Sequence, residues 1–163
     1  STKFLPMIAA LLPVYLTFKY LGLLDNIFAL VIFYTGMNLP VAIWMMHSFM
    51  AEIPKDVLAA AEVDGASLPL ILRKIVLPLA SPGIAATGLI CFIFSWNEFL
   101  FALNLTATKA GTSPVYLVSF ITSEGLFIAQ LSAAALVVSI PVIIVGWVAQ
   151  DKLVQGLSLG AVK

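Results

Sequence analysis

Charged residues are scarce in this sequence. Only 10% of its 163 residues are charged, against about 25% in typical soluble domains. Apolar residues make up 62% of the chain and the mean hydropathy is +1.11, which is more apolar surface than one core of this size hides from water. The eight basic and eight acidic residues cancel, so the charge does not favour nucleic acid as a partner. The composition predicts a protein that lies in a lipid bilayer.

Residues that perform catalysis or bind metals are also rare. Cys91 is the only cysteine, which excludes an internal disulfide. His47 is the only histidine, so no second histidine or cysteine pair completes a zinc site. The H-E-x-x-H and G-x-S-x-G motifs of hydrolases are absent, and so is the phosphate-binding G-x-x-x-x-G-K-[ST] loop of ATPases. We therefore expect this chain to be no enzyme and to hold no metal or cofactor of its own.

Long apolar runs predict the fold. A helix that crosses a bilayer needs about 20 mostly apolar residues, and four runs have this length: about 4–24, 27–46, 84–103 and 126–149. The predicted fold class is all-α, a polytopic transmembrane helical bundle. Pro114 to Thr122 is apolar but too short to cross, and we expect a loop element there.

Three of the four runs contain a proline, namely Pro13, Pro40 and Pro141. Each proline leaves the carbonyl four residues earlier without its helical donor. Asn38 is a candidate donor for the carbonyl that Pro40 frees, that of Gly36. Transmembrane helices either simply tolerate such prolines or use them where a helix lines a path or changes shape.

The basic residues predict the orientation of the chain. With four spans, six of them fall on one side of the membrane and two on the other. Because loops on the cytoplasmic side are enriched in basic residues, the segment 52–80, the tail 150–163 and both ends of the chain are expected in the cytoplasm. The six are Lys3, Lys55, Arg73, Lys74, Lys152 and Lys163, and the two are Lys19 and Lys109.

The polar segment 52–80 has the pattern of two short helices. Pro54 suits the first turn of a helix, where its missing N–H needs no partner, and the following residues are rich in alanine. Gly65 predicts a left-handed stop, and Ser67 is a candidate N-cap for the second helix. An ordinary solvated loop would be irregular and more highly charged.

The second helix of this segment has one apolar side, formed by Leu68, Ile71, Leu72, Ile75 and Leu79. We expect Pro78 and Pro82 to end it and to turn the chain into the third span. The alanines of the first helix allow close approach of another protein, and Asp56, Glu62 and Asp64 are available to its basic residues. The segment is therefore predicted to be a docking surface for a partner.

This segment resembles the cytoplasmic signature of permease subunits of binding-protein-dependent ABC importers. The signature reads E-A-A, three residues, G, nine residues, I, one residue, L-P. Its positions match Ala60, Ala61, Gly65, Ile75, Leu77 and Pro78. The stretches "YLGLLDN" at 20–26, "LPVAIW" at 39–44 and "SWNEFLFAL" at 95–103, together with the ending from residue 126 to residue 163, are similar to the branch that imports sugars and sugar alcohols.

The resemblance implies a function. A permease of this family moves its solute across the cytoplasmic membrane of a prokaryote by alternating access. An ATPase subunit that binds segment 52–80, here called the coupling segment, drives this movement and uses ATP and Mg²⁺. The implied partners are a second permease, an ATP-binding-cassette ATPase dimer, an extracytoplasmic solute-binding protein and the lipid bilayer. Such a permease has six spans, so residues 1–163 match the C-terminal part of one.

The resemblance also assigns residues to the ATPase-coupling surface. They are Asp56, Ala59, Ala60, Ala61, Glu62, Asp64, Gly65 and Ala66, with Ile75, Leu77 and Pro78 expected to brace the segment against the spans. The glutamate that opens the family signature is Ala59 here. Asp56 and Glu62 lie three residues on either side, on about the same helical face, and our hypothesis is that they replace it.

A polar and aromatic cluster lies near the outer end of the third predicted span. It consists of Trp96, Asn97, Glu98 and Asn104, which suit a sugar ring and its hydroxyls and are candidates for the solute path. Alternatively Trp96 belongs to an interfacial aromatic belt and Glu98 ties one helix to another. A different function is also open, an ion-coupled carrier or a channel that uses Glu98, although a carrier would be expected to have several ionisable groups within its spans.

Overall fold

The computed structural model describes residues 7–122 and 125–160. The regular secondary structure of these residues is almost entirely helical. The helices are α1 (Met7–Tyr20), α2 (Ile27–Ala51), α3 (Lys55–Val63), α4 (Leu68–Ile71), a π-helical segment (Leu72–Val76), α5 (Leu77–Trp96), α6 (Leu100–Leu105), α7 (Ser113–Val118) and α8 (Ile128–Gly160). The predicted all-α class is confirmed. Two short strands, β1 (Ile121–Thr122) and β2 (Gly125–Leu126), form an antiparallel hairpin between α7 and α8.

Three of the described helices are long and apolar enough to cross a membrane. They are Ile27–Ala51, Leu68–Trp96 and Ile128–Gln150. The first predicted span, 4–24, corresponds to α1, which has 14 residues and is shorter than the roughly 17 residues that a crossing requires. Residues 4–6 of that predicted span lie outside the described part of the chain. The predicted tail, 150–163, continues α8 as far as Gly160.

The prediction that Pro78 and Pro82 end a helix is wrong. The helix runs without interruption from Leu68 to Trp96 and contains both prolines. A π-helical segment directly precedes them, and at its end the Leu77 N–H bonds the carbonyl of Leu72, five residues earlier. Widening of the helix at this point accommodates Pro78, which has no N–H to continue the ordinary ladder.

The third predicted span, 84–103, is therefore placed differently in the structure. Its first part lies in α5, the helix stops at Trp96, and a break at residues 97–99 precedes the short helix α6. The sequence there is apolar on both sides of the break, so hydropathy alone merges the two helices into one run.

The described residues separate into two compact units. One unit comprises Ser1–Pro40 with Phe92–Ile144, and the other comprises Val41–Cys91 with Val145–Lys163. In the first unit the short helix α6 is the most buried element, because Ala102 is 0% exposed and Phe101 and Leu105 are each 2% exposed. The ring of Phe33 on α2 lies 4.8 Å from that of Phe101. An aromatic contact of this kind stabilises the packing of α6 on α2.

The core of the second unit lies beneath the predicted coupling segment. Ala61, Ile71 and Val76 are buried there. Ile53, Leu58, Ala66 and Ile75 pack around them. Farther along α5, Gly83 lies against Phe49 of α2, so closely that a methyl group at position 83 would stand 2.6 Å from the Phe49 Cβ.

Candidate functional site

The predicted coupling segment is a helix, a left-handed turn and a second helix. α3 ends at Val63, and Gly65 adopts φ +74°. The Gly65 N–H donates to the carbonyl of Glu62 and the Ala66 N–H donates to that of Ala61, both at 3.0 Å. This pair of bonds satisfies the last carbonyls of α3 in the manner of a Schellman motif. The prediction that Gly65 is the left-handed stop is confirmed.

Most of the coupling residues lie on the outside of this segment. The exposed ones are Asp56, Ala59, Ala60, Glu62, Asp64 and Gly65, and Ala66 is half-buried. Ala61 differs, because it is only 7% exposed and belongs to the core beneath the segment. The small side chains available to a partner are therefore Ala59 and Ala60.

The bracing residues are partly different from those expected. Ile75 packs against the core of the second unit, but Leu77 is 52% exposed and Pro78 is also exposed. Ile71 and Val76 are buried instead. Ile71 and Ile75 belong to the apolar side that a regular 3.6-residue period predicts, whereas Val76 does not, and Leu68 and Leu72 of that side are exposed. The π-helical winding shifts the register of side chains around the helix, so only part of the predicted side packs.

Asp56 and Glu62 are available as surface charges on α3. Both side chains are exposed, and among the residues whose side chains the structure describes, 8–122 and 125–150, no basic residue forms an ion pair with either of them. Ser67, expected to cap α4, makes no capping hydrogen bond with its side chain. The exposed end of the segment is thus small, acidic and held in shape by its backbone.

Asp25 is a second important residue, which the sequence did not indicate. Its carboxylate accepts hydrogen bonds from the N–H groups of Ala107, Thr108, Lys109 and Ala110, at 2.8 to 3.2 Å. These donors lower the pKa of Asp25 to about 2 from its ordinary 3.8. Asp25 also adopts φ +54°, and its own N–H donates to the carbonyl of Leu105. One carboxylate therefore fastens the loop after α6 to the turn between α1 and α2.

Glu98 is also held by several donors. Its carboxylate accepts the hydroxyl proton of Tyr34 at 2.7 Å and the N–H groups of Phe101 and Ala102, each at 2.9 Å. A carboxylate at this position satisfies the free N–H groups at the start of α6 and complements its dipole. The contacts support the structural role of Glu98, a tie between α2 and α6.

The other predicted solute-path residues do not converge on Glu98. Trp96 packs against Phe92 on its own helix, with ring centroids 5.3 Å apart. The side-chain amides of Asn97 and Asn104 each donate to the carbonyl four residues earlier. The expected cluster of four is thus not a single site.

A pocket of about 500 Å³ opens at the break between α5 and α6. We call it the break pocket. Asn97 and Glu98 line it, whereas Trp96 and Asn104 do not. Its wall is completed by Tyr34, Met37, Asn38, Ile93, Phe94, Ser95, Phe99 and Leu100. Tyr34 and Asn38 were missed as pocket residues because they are about 60 residues away in sequence.

Metal binding has no support in the described ranges, which contain no group of three or more histidine, cysteine or acidic side chains that could hold an ion. His47 is exposed near the end of α2.

Comparison with known proteins gives a consistent result. The family described as "binding-protein-dependent transport system inner membrane component" matches residues 2–158. A probable ABC transporter permease protein of Sinorhizobium fredii is 42% identical over 161 residues, 99% of this chain and 58% of that protein. The trehalose transport system permease protein SugB of Mycobacterium tuberculosis is 39% identical over 162 residues, 97% of this chain and 59% of that protein.

A third relative is the sulfoquinovosyl glycerol transport system permease protein SmoH of Agrobacterium fabrum, 37% identical over 160 residues, 97% of this chain and 56% of that protein. The chain thus spans a little more than half the length of these relatives. All three are named as permeases, in agreement with the prediction that this chain is not an enzyme. The chain belongs to the inner-membrane permease family of binding-protein-dependent ABC transport systems.

Proposed function

We propose that this chain is part of a permease that imports a sugar or sugar alcohol by alternating access. Relatives whose names specify trehalose, trehalose and maltose, and sulfoquinovosyl glycerol support a hydroxylated solute. The implied partners are a second permease, an ATPase dimer that uses ATP and Mg²⁺, and an extracytoplasmic binding protein. The proposed location is the cytoplasmic membrane, with the coupling segment and both ends of the chain on the cytoplasmic side.

The observation that carries this proposal is the geometry of the coupling segment. A rigid turn at Gly65 presents the end of α3, where Ala59 and Ala60 allow another backbone to approach and Glu62 and Asp64 supply negative charge. Below it, Ile71 and Val76 bury the base of the segment against α3. α4, the π-helical segment and α5 form one continuous helix of membrane length. A displacement of the Gly65 turn by the ATPase would therefore be transmitted directly to that helix.

The alternative of an ion-coupled carrier has less support. Glu98, the acidic residue on which it depends, already accepts three hydrogen bonds from Tyr34 and α6. Binding of a coupling ion to this carboxylate would have to displace donors that already occupy both of its oxygens.

Replacing Gly65 by valine tests the coupling function. A β-branched residue is strained at φ +74°, by about 1–2 kcal/mol, so the turn changes shape. We expect ATP-driven trehalose uptake by the reconstituted transporter to fall about ten-fold or more. Gly22→Val is the matched control, because Gly22 has φ +66° and, like Gly65, no atom within 4 Å of an added Cβ, but it lies outside the coupling segment.

Two results would contradict the proposed function. Equal losses in Gly65→Val and Gly22→Val would mean that the strain acts through general folding rather than coupling. Trehalose uptake by the wild-type chain that persists without the ATPase subunits would indicate a channel or carrier.

Replacing Glu62 by glutamine tests the charge that we assign to α3. Loss of an exposed ion pair with a basic group of the ATPase costs up to about 1 kcal/mol, so the dissociation constant of the ATPase should rise by up to about five-fold at low salt. The effect should shrink as salt is added. Glu52→Gln, which removes an exposed charge before α3, is the control. Unchanged affinity and unchanged transport in Glu62→Gln would exclude this residue as the substitute for the family's glutamate.

A further inference from the structure

Asn38, a residue that lines the break pocket, has a hydrogen-bond acceptor that the described residues leave unused. The Asn38 amide nitrogen donates to the carbonyl of Tyr34 at 2.9 Å and to the hydroxyl oxygen of Ser95 at 3.0 Å. The Asn38 Oδ1 is buried and accepts no hydrogen bond from the described residues. The amide is therefore not spent on the carbonyl of Gly36, as the sequence led us to expect. It is fixed in place by two donor contacts, with its oxygen unpaired.

An unpaired amide oxygen is costly at this position. Asn38 lies inside α2, a helix of membrane length, and most of the residues around the pocket are apolar. Leaving a polar group without a partner in such surroundings costs about 1–3 kcal/mol in proteins. A donor from outside the chain that reaches the Asn38 oxygen during function would remove this free-energy cost.

The neighbouring groups define the chemistry of that donor. Ser95 accepts from Asn38 through its oxygen, and no described residue takes its hydroxyl proton, so it can donate. An acceptor and a donor side by side match a hydroxyl group, which both donates and accepts. Both oxygens of Glu98 are already engaged by its three donors, so fewer of their lone pairs are left to coordinate an inorganic cation.

The rest of the wall suits a sugar ring. Phe94 and Phe99 line the pocket with partly exposed rings, and flat apolar faces pack against the C–H face of a pyranose. The volume of about 500 Å³ falls within the range of roughly 300–1,000 Å³ found for small-molecule sites.

We propose that the break pocket is a subsite for a hydroxylated solute, in which Asn38 Oδ1 accepts and Ser95 Oγ donates a hydrogen bond to a solute hydroxyl. The proposal rests on the proposed function, since it places part of the imported sugar or sugar alcohol on this chain. Of the predicted solute path it keeps Asn97 and Glu98 as wall residues and omits Trp96 and Asn104, and it assigns the hydrogen bonds to Asn38 and Ser95.

Protection of a cysteine in the pocket tests this subsite. The intact transporter containing this chain is prepared with Cys91→Ala and Met37→Cys, because Met37 lines the pocket without being one of the groups proposed to bind the solute, and a small methanethiosulfonate reagent labels position 37. Trehalose, the probe, at about four times its dissociation constant occupies about four fifths of the sites and should slow labelling about five-fold. The same concentration of glycine betaine, an osmolyte without hydroxyl groups, should leave the rate unchanged.

Two matched variants make the test specific. Ile32→Cys lies on α2 with a 73% exposed side chain and does not line the pocket, so trehalose should not protect it. Adding Asn38→Leu to the Met37→Cys protein should raise the trehalose concentration for half-protection about ten-fold, because both hydrogen-bonding groups of the amide are lost.

Several outcomes would overturn the proposal. Two results exclude trehalose binding in the pocket: labelling at position 37 that trehalose does not slow, and slowing that is equal at positions 37 and 32. Absence of labelling without trehalose would mean that lipid or the companion permease fills it. If wild-type trehalose uptake requires the ATPase while protection fails, the subsite is wrong and the proposed function stands. If the wild-type transporter takes up neither trehalose nor any other sugar or sugar alcohol of a panel, the proposed function is the part in error.

Discussion

Alanine in place of Gly83 should markedly destabilise the chain, even though alanine is the better helix former. Gly83 is buried in α5, and an added Cβ would stand 2.6 Å from the Phe49 Cβ and within contact distance of its ring. Atoms at the root of a side chain do not move aside without displacing the backbone, and overpacking of this kind costs about 1–3 kcal/mol. The loss is measurable as a lower midpoint of thermal unfolding in detergent, by about 2–4 °C per kcal/mol for a chain of this size.

Gly88 provides the control for this substitution. It lies on the same helix, but an added Cβ meets no atom within 4 Å, so Gly88→Ala should gain up to about 1 kcal/mol from helix propensity alone. Gly83→Ala should cost less in a Phe49→Ala background than in the wild type, because the ring is then absent although the Cβ of residue 49 remains. Equal midpoints for Gly83→Ala and Gly88→Ala would show that α5 and Phe49 are not in close contact.

Local chemistry predicted the coupling segment well. The start of α3 after Pro54 and its end at Gly65 depend on backbone preferences within a few residues, and these preferences are not overridden by packing here. The same reasoning failed at Pro78 and Pro82, because it assumed the free-energy cost that a proline has inside a regular α-helix and so predicted that the helix ends there. The π-helical segment Leu72–Val76 removes that cost, and no residue pattern in the sequence announces such a widening.

Packing partners distant in sequence explain the other differences. Ala61 and its exposed neighbour Ala60 are the same residue type in the same helix, so the local sequence does not distinguish them. The packing of Ile71 and Val76 determines which alanine is buried. The break pocket depends on Asn38 meeting Ser95, 57 residues later. Hydropathy located the helices of both residues, but one sequence without related sequences holds no signal for which side chains meet.

Asp25 shows most clearly how one such contact organises a loop, and we expect Asp25→Asn to release it. The carboxylate accepts from four successive N–H groups at residues 107–110, whereas an amide has a single acceptor oxygen and turns N–H groups toward donors. Hydrogen exchange at those four backbone amides should become about a hundred-fold faster in the variant, because opening of the loop no longer breaks four bonds together.

The control for this prediction is Asp56→Asn, which removes the same charge from an exposed position on α3 and should leave exchange at residues 107–110 unchanged. Acid provides an independent check. The folded pKa of Asp25 is lowered to about 2 from 3.8, so its contribution is complete above about pH 4 and is lost as the pH falls through about 2. Protection of the loop in the wild-type protein should follow that curve, and in Asp25→Asn it should not depend on pH in this range once the intrinsic pH dependence of exchange is subtracted. Protection that is equal in the two proteins at neutral pH would mean that the loop is held by its own packing and that the carboxylate only occupies a nest of amides formed without it.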